Sequence, residues 1–279
     1  MSIQQMARIF LFFIFCYAGL VHAMPDWHWE SDFSQSEAAG LKAWIEHVES
    51  GLITLFGSLP YSYSVYFHRH AKSYEPVPWA NTDKRGERAV HFYVDTSHSW
   101  QSFKRDWTAP HELTHLMFPY LGDEGRWFAE GISSYLQYQI MYANNTISWS
   151  KGTAKLNERF QRARARRGLN DISIADLSLI VGQTGAYVRL YWGGAAYFMH
   201  ADQRLYEEKG TRLSDIIKQY IHCCYSARGT SVKKMMRMLD SISESKIFTE
   251  TYTDTVAQPV FPETRKALAW LSKHPPTLH

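Results

Sequence analysis

Residues 111–137 read HELTHLMFPYLGDEGRWFAEGISSYLQ. His111 and His115 stand four positions apart with Glu112 beside the first, and a helix brings such a pair of imidazoles to one face. Two imidazoles make half of a tetrahedral zinc site; a catalytic zinc takes a third protein ligand and keeps one position open for water. Glu130 is the candidate third ligand. Fourteen residues separate it from His115, and a turn at Gly122–Gly125 lets a second helix over 126–142 fold back on the first. In that arrangement zinc polarises a bound water and Glu112 takes its proton as general base. A helical histidine pair alone is more often structural, and His-Glu-x-x-His also arises by chance. The acid within reach of a helix-turn-helix is what favours metal.

Such a site needs elements to hold it. Thr108 is placed to cap the first helix, Pro110 suits its first turn and Pro119 stops it. Residues 36–57 carry Leu41, Ile45, Val48, Leu52 and Leu55 at the spacing of an amphipathic helix. Residues 61–70 and 88–96 alternate with aromatic and β-branched side chains and predict strands. The Pro-, Gly- and charge-rich segment 73–87 between them predicts a loop. Further helices are predicted over 153–168, 173–180, 190–208, 212–224 and 230–242, and the tail 247–273 predicts an extended piece and a last short helix. Few strands followed by many helices indicate the α+β class: a small mixed β-sheet, an active-site helix pair and a mostly helical C-terminal half. Arg159, Arg162, Arg164, Arg166 and Arg167 gather at one helix end, where a solvated surface explains them better than a binding patch.

The 279 residues are 45% hydrophobic, with 10 Trp, 17 Tyr and 15 Phe, enough for one sizeable core. A formal net charge of +3, from 30 basic and 27 acidic residues, points away from nucleic acid as a partner. Residues 1–23 are different material: Arg8, an apolar run over 9–21, then Val21 and Ala23 before Met24. They read as a secretory signal peptide, and the run is shorter than the 18 or so residues of a spanning helix. The expected mature chain, 24–279, is one secreted or periplasmic domain without stable membrane insertion. A β-containing lobe with the zinc helix (36–125) would precede a helical lobe (126–279). Of three cysteines, Cys16 leaves with the signal peptide. Neighbouring Cα atoms, about 3.8 Å apart, are closer than ordinary disulfide geometry allows. A bridge between Cys223 and Cys224 would therefore carry strain, and a buried thiol beside an exposed one is the favoured reading. No serine nucleophile elbow, P-loop or dinucleotide fingerprint occurs.

HELTH followed by WFAEGISSYL resembles the gluzincin metallopeptidases, the superfamily of thermolysin and the aminopeptidase N type enzymes. Their second element reads Trp-x-x-Glu-Gly-x-(Ala/Ser)-x-Tyr, and Trp127, Glu130, Gly131, Ser133 and Tyr135 match it. The resemblance implies a compact thermolysin-like catalytic domain. In the aminopeptidase-like branch a tyrosine in Tyr-x-x-Gly, at the start of a later helix, supports the tetrahedral intermediate. Tyr191 and Gly194, within AYVRLYWGGAAYFMHADQRL (186–205), take that pattern, so the resemblance implies Tyr191 as oxyanion donor. Beside Tyr187, Trp192 and Tyr197 it also reads as an ordinary core aromatic. The run Gly193-Gly194-Ala195-Ala196 leaves one narrow helix face, expected to approach the zinc helix. The chain departs from the aminopeptidases in lacking Gly-x-Met-Glu-Asn, the segment that grips a free N-terminus. RGERAVHFYV stands in its place, and Gly86-Glu87 is too slight a match to carry the role over. Peptidase chemistry is better supported than aminopeptidase specificity.

The reading is thus an exported zinc metallopeptidase acting on a peptide or protein, with Zn2+ on His111, His115 and Glu130 and an edge strand around 88–94 aligning substrate. Two alternatives share the zinc. A non-catalytic interaction domain would need neither Glu112 nor Tyr191; a hydrolase of a non-peptide amide in the cell envelope would use both. His68, His70, His91 and His98 lie on or near strands, and one of them is a candidate to line the cleft. Asp95 and Asp123 are candidates to orient a zinc histidine.

Overall fold

The computed structural model describes residues 25–57, 59, 61–83, 88–165, 171–226 and 228–278. The expected signal peptide 1–23 with its Cys16 lies outside them, as do Gly86, Glu87, Arg166 and Arg167. Ser34 opens helix α1 (Gln35–Phe56) with a capping box: its hydroxyl accepts the Glu37 N–H, and the Glu37 carboxylate accepts the Ser34 N–H at 2.8 Å. The same carboxylate takes hydrogen bonds from Arg69 and Thr96, which ties this first turn to the sheet. Leu41, Trp44, Ile45, Val48, Leu52 and Leu55 are buried along one stripe, and Gly57, at φ 78°, turns the chain out of the helix.

Among the described residues one sheet forms from β1 (Asp26–Trp29), β2 (Ser64–Arg69), β3 (Trp79–Asp83) and β4 (Ala89–Val94), in the order β1-β2-β4-β3. β1, β2 and β4 are parallel and β3 is antiparallel to β4, so the sheet is small and mixed as expected. Val65, Phe67, Val90, Phe92 and Val94 are buried, and the Trp44 ring of α1 sits 5.1 Å from Phe92. The other face carries a half-buried row of rings, His28 on Tyr66 at 4.2 Å and Tyr66 on His91 at 4.4 Å. Two expectations are corrected here. The strand expected to be an edge, β4, lies between β2 and β3, because its buried Val-x-Phe-x-Val pattern belongs to the sheet interior. Among the described residues the edges are β1 and β3, and β3 lies inside the stretch expected to be loop; its Trp-Ala-Asn-Thr-Asp sequence is polar, as suits a strand paired there with β4 alone.

The helices of the described residues continue as α2 (Trp100–Arg105), α3 (Thr108–His115), α4 (Arg126–Ala143), α5 (Trp149–Ala165), α6 (Ile174–Thr184), α7 (Tyr187–Lys209), α8 (Leu213–Cys223), α9 (Val232–Ile242), α10 (Ile247–Asp254) and α11 (Arg265–Lys273). The tail over 247–254 is therefore helical and not extended. α4, buried along most of its length, is the hub against which α1, α3 and α7 pack. The narrow face of α7 meets α4 and not the helix expected to hold zinc. A Cβ on Gly194 would stand 2.1 Å from the Trp127 carbonyl oxygen, and one on Gly131 would stand 2.5 Å from the Gly194 carbonyl carbon. Cys223 and Cys224 form a disulfide, and neither is a buried thiol: Cys223 is exposed and Cys224 half-buried. Cys224 has left the helix, with φ at −137°, which frees its side chain to turn toward its neighbour. Among the described residues no helix is long and apolar enough to cross a membrane.

Candidate metal centre

α3 is short and needs help at its start. Trp107 occupies the cap position and offers no side-chain bond; the Asp106 carboxylate instead accepts the Thr108 N–H at 2.8 Å. Thr108, expected to be the cap, is the first helical residue, because an acid two positions earlier already satisfies its N–H. The helix ends at His115, before Pro119. His111 and His115 leave it on one face, rings 4.9 Å apart and nearly perpendicular, with 3% and 7% of their surfaces exposed.

α4 supplies polar partners to both imidazoles. A Glu130 oxygen lies 3.1 Å from His111 Nε2 and 3.5 Å from His115 Nε2. Behind the rings, Gln137 Oε1 is 3.1 Å from His111 Nδ1, and Ser133 Oγ is 3.1 Å from His115 Nδ1. The Gln137 carbonyl oxygen can only accept, so His111 Nδ1 donates to it, and Nε2 is the nitrogen left facing Glu130. Ser133 can hold His115 in the same sense. Glu130, Ser133 and Gln137 are spaced i, i+3 and i+7, one face of α4, and this was the sequence signal for the two orienting residues. The aspartates expected in that role bond other groups: Asp95 accepts from Ser73 and Ser97, and Asp123 pairs with Arg126 at 2.9 Å.

Two carboxylates are within reach of one ion. His111, Glu112 and His115 offer ligand atoms that all lie within 4.8 Å of one another. Glu130 is nevertheless the better placed, because its oxygen faces both Nε2 atoms. Glu112 also accepts a 2.8 Å hydrogen bond from the Thr82 hydroxyl of β3. Burial opposes charge on Glu130, but His115 and His111 outweigh it and hold the carboxyl well below its usual range. Burial likewise pushes the His111 imidazole down, and Glu130 and Glu112 more than reverse it. The arrangement is built to receive positive charge.

Tyr191 joins the cluster from α7, its ring stacked on His111 at 6.1 Å. Burial, then the charges of Glu130 and Glu112, push its phenol far up, so it is a hydrogen-bond donor at any ordinary pH. Tyr187 is 43% exposed and touches Tyr191 edge-on at 6.2 Å, outside the cleft lining. The cleft has a volume of about 880 Å³, with the whole of β3 among its lining residues. Its described lining carries the carboxylates of Glu75, Asp83, Glu112, Asp123 and Glu130 against one cation, Arg126. Of the four strand-region histidines, His91 reaches the cleft. His68 lies 3.0 Å from His91, His98 bonds the Ser73 carbonyl, and His70 bonds the Ala71 carbonyl.

No family model matches this chain, and no curated protein does. Solved structures do match. One is an aminopeptidase N family protein from Idiomarina loihiensis, with TM-score 0.63 and 16% identity over 86% of this chain and 46% of that one. Another is an M1 zinc metallopeptidase from Deinococcus radiodurans, with TM-score 0.52 and 14% identity over 84% of this chain and 47% of that one. A mutant of the Deinococcus enzyme bound to a Tyr-Ser-Ala substrate gives TM-score 0.51 at 14% identity, covering 84% and 47%. At such identities the likeness is one of fold, and it agrees with the α+β architecture. This chain spans just under half the length of the structures it matches.

Proposed function

We propose that this chain is a zinc-dependent metallopeptidase that hydrolyses peptide bonds, with His111, His115 and Glu130 as metal ligands. The donor set fits the ion. Two ligand atoms each about 2.1 Å from a tetrahedral zinc stand about 3.4 Å apart, close to the 3.1 and 3.5 Å between Glu130 and the imidazoles. When bound, zinc supplies a Lewis acid that acidifies water and polarises a carbonyl. Glu112, beside the ligands, takes the proton of the attacking water and delivers it to the leaving amine. Tyr191 donates its phenol hydrogen to the carbonyl oxygen as negative charge develops there. Gln137 and Ser133 bond the two Nδ1 atoms and so orient the rings. β3, an edge strand among the described residues, aligns an extended peptide as an added strand, and the acid-rich lining favours substrates that bring positive charge.

The observation that carries this reading is the division between the two carboxylates, one facing both Nε2 atoms and the other held beside them. Neighbours in fold include enzymes described as zinc metallopeptidases, one of them bound to a tripeptide, which adds support. We further infer that the chain is exported, loses residues 1–23 and begins at Met24 in its secreted or periplasmic form, which N-terminal sequencing of the exported protein checks. The test of function is digestion of a broad peptide library by the purified mature chain. Cleavage should stop with a chelator and return with zinc. Cleavage indifferent to the chelator, or none with zinc supplied, would overturn the reading.

A further inference from the structure

Thr82 sits where two functions of the cleft meet. On β3 the exposed residues Trp79, Asn81 and Asp83 alternate with the half-buried Ala80 and Thr82, so Thr82 points to the α3 side of the sheet. Its hydroxyl lies 2.8 Å from Glu112 Oε2 and 3.3 Å from the Glu112 carbonyl oxygen. Its main chain pairs with Val90 of β4, and Thr82 lines the cleft with the rest of β3. Even with this bond in place a Glu112 ligand atom lies within 4.8 Å of those of His111 and His115, so a carboxylate freed from Thr82 has a short way to swing onto an ion there, in competition with Glu130. A hydroxyl hydrogen directed at Oε2 satisfies that oxygen and fixes the carboxylate's orientation.

We propose that Thr82 is a positioning residue that keeps Glu112 off the metal, so that Glu130 serves as ligand and Glu112 stays available for proton transfer. Its place on the edge strand also couples the two events: a peptide docking along β3 lies against the residue that aims the base. The inference rests on the metallopeptidase reading and adds the assignment of roles between the two acids.

The test uses the full mature chain loaded with Co2+, whose visible absorption reports coordination number, beside steady-state hydrolysis by the zinc form. Thr82→Val keeps the shape and strand preference and removes the donor. It should weaken and shift the cobalt bands as Glu112 enters the coordination sphere. It should also lower kcat about tenfold or more, the scale of one hydrogen bond to a charged group, with KM changed less than about twofold. Thr82→Ser should restore both. In Thr82→Val with Glu112→Gln the cobalt spectrum should return to that of the unsubstituted chain, because an amide is a poor ligand. A Thr82→Val spectrum and kcat matching the unsubstituted chain would overturn the inference and leave the metal centre standing. So would a spectral change that persists in the double variant. Failure of the unsubstituted chain to take up Co2+ or Zn2+ would overturn the metal centre and this inference together.

Discussion

Glu112 and Tyr191 reach the imidazole cluster from two different helices, and each carries its own prediction. Glu112→Gln keeps the side-chain volume and an oxygen for Thr82 to bond, yet cannot take a proton. It should hold the metal and lose roughly 10²–10⁴-fold in kcat, measured beside the metal content of the same sample. Tyr191→Phe removes one hydroxyl from a ring that stays stacked on His111. The bond it loses strengthens only as the oxyanion forms, so kcat should fall roughly 10²–10³-fold at nearly constant KM. A slow Tyr187→Phe beside an active Tyr191→Phe would assign the donor to the wrong turn of α7. These residues were legible in the sequence because a four-residue helical spacing and one further acid suffice to single them out. Gln137 and Ser133 were missed because carboxylates were sought as partners for the histidines. An amide and a hydroxyl at i+7 and i+3 from Glu130 do the work instead.

α4 and α7 owe their separation to Gly131 and Gly194, and that separation sets where Tyr191 stands relative to Glu130. A methyl group at Gly194 would meet backbone, the Trp127 carbonyl at 2.1 Å, which cannot swing away as a side chain would. Gly194→Ala should therefore destabilise the fold by roughly 1–3 kcal/mol in denaturant unfolding and slow turnover as well. The start of α3 gives a second prediction. Asp106 is buried and its pKa is raised from 3.8 to about 6, mainly by desolvation. The folded state thus binds this proton more tightly than the unfolded chain does. The stability gained by protonation is full below pH 3.8 and is lost as pH rises through about 6. Asp106→Asn keeps an acceptor for Thr108 and removes the charge. Relative to the unsubstituted chain it should gain up to about 3 kcal/mol between acid and neutral pH; an unchanged difference across that range would remove the assignment. α1 was readable because its burial is periodic over 22 residues, and α4 and α7 because their apolar-rich runs, buried along most of their length, are long. β3 and α10 were not: a polar edge strand of five residues resembles a loop, and Thr- and Tyr-rich IFTETYTD resembles a strand until tertiary packing decides.

Across the whole molecule the cluster joins parts that lie far apart in the chain: β3 and α3 from the sheet side, α4 from the centre and α7 beyond it. An ion shared by α3 and α4 would staple them, so a chelator should lower the unfolding temperature of the purified protein and zinc should restore it in a concentration-dependent way. The sequence patterns were enough for the α+β class and for the helical C-terminal half. They could not place the sheet edge, because strand order depends on non-local pairing that no local pattern encodes. The central claim, that Glu130 and not Glu112 completes the metal site, is tested most directly by zinc analysis of three purified proteins. The unsubstituted chain and Glu112→Gln should each carry about one zinc per molecule, and Glu130→Ala should carry little or none. Full zinc in Glu130→Ala, or its loss in Glu112→Gln, would contradict the account.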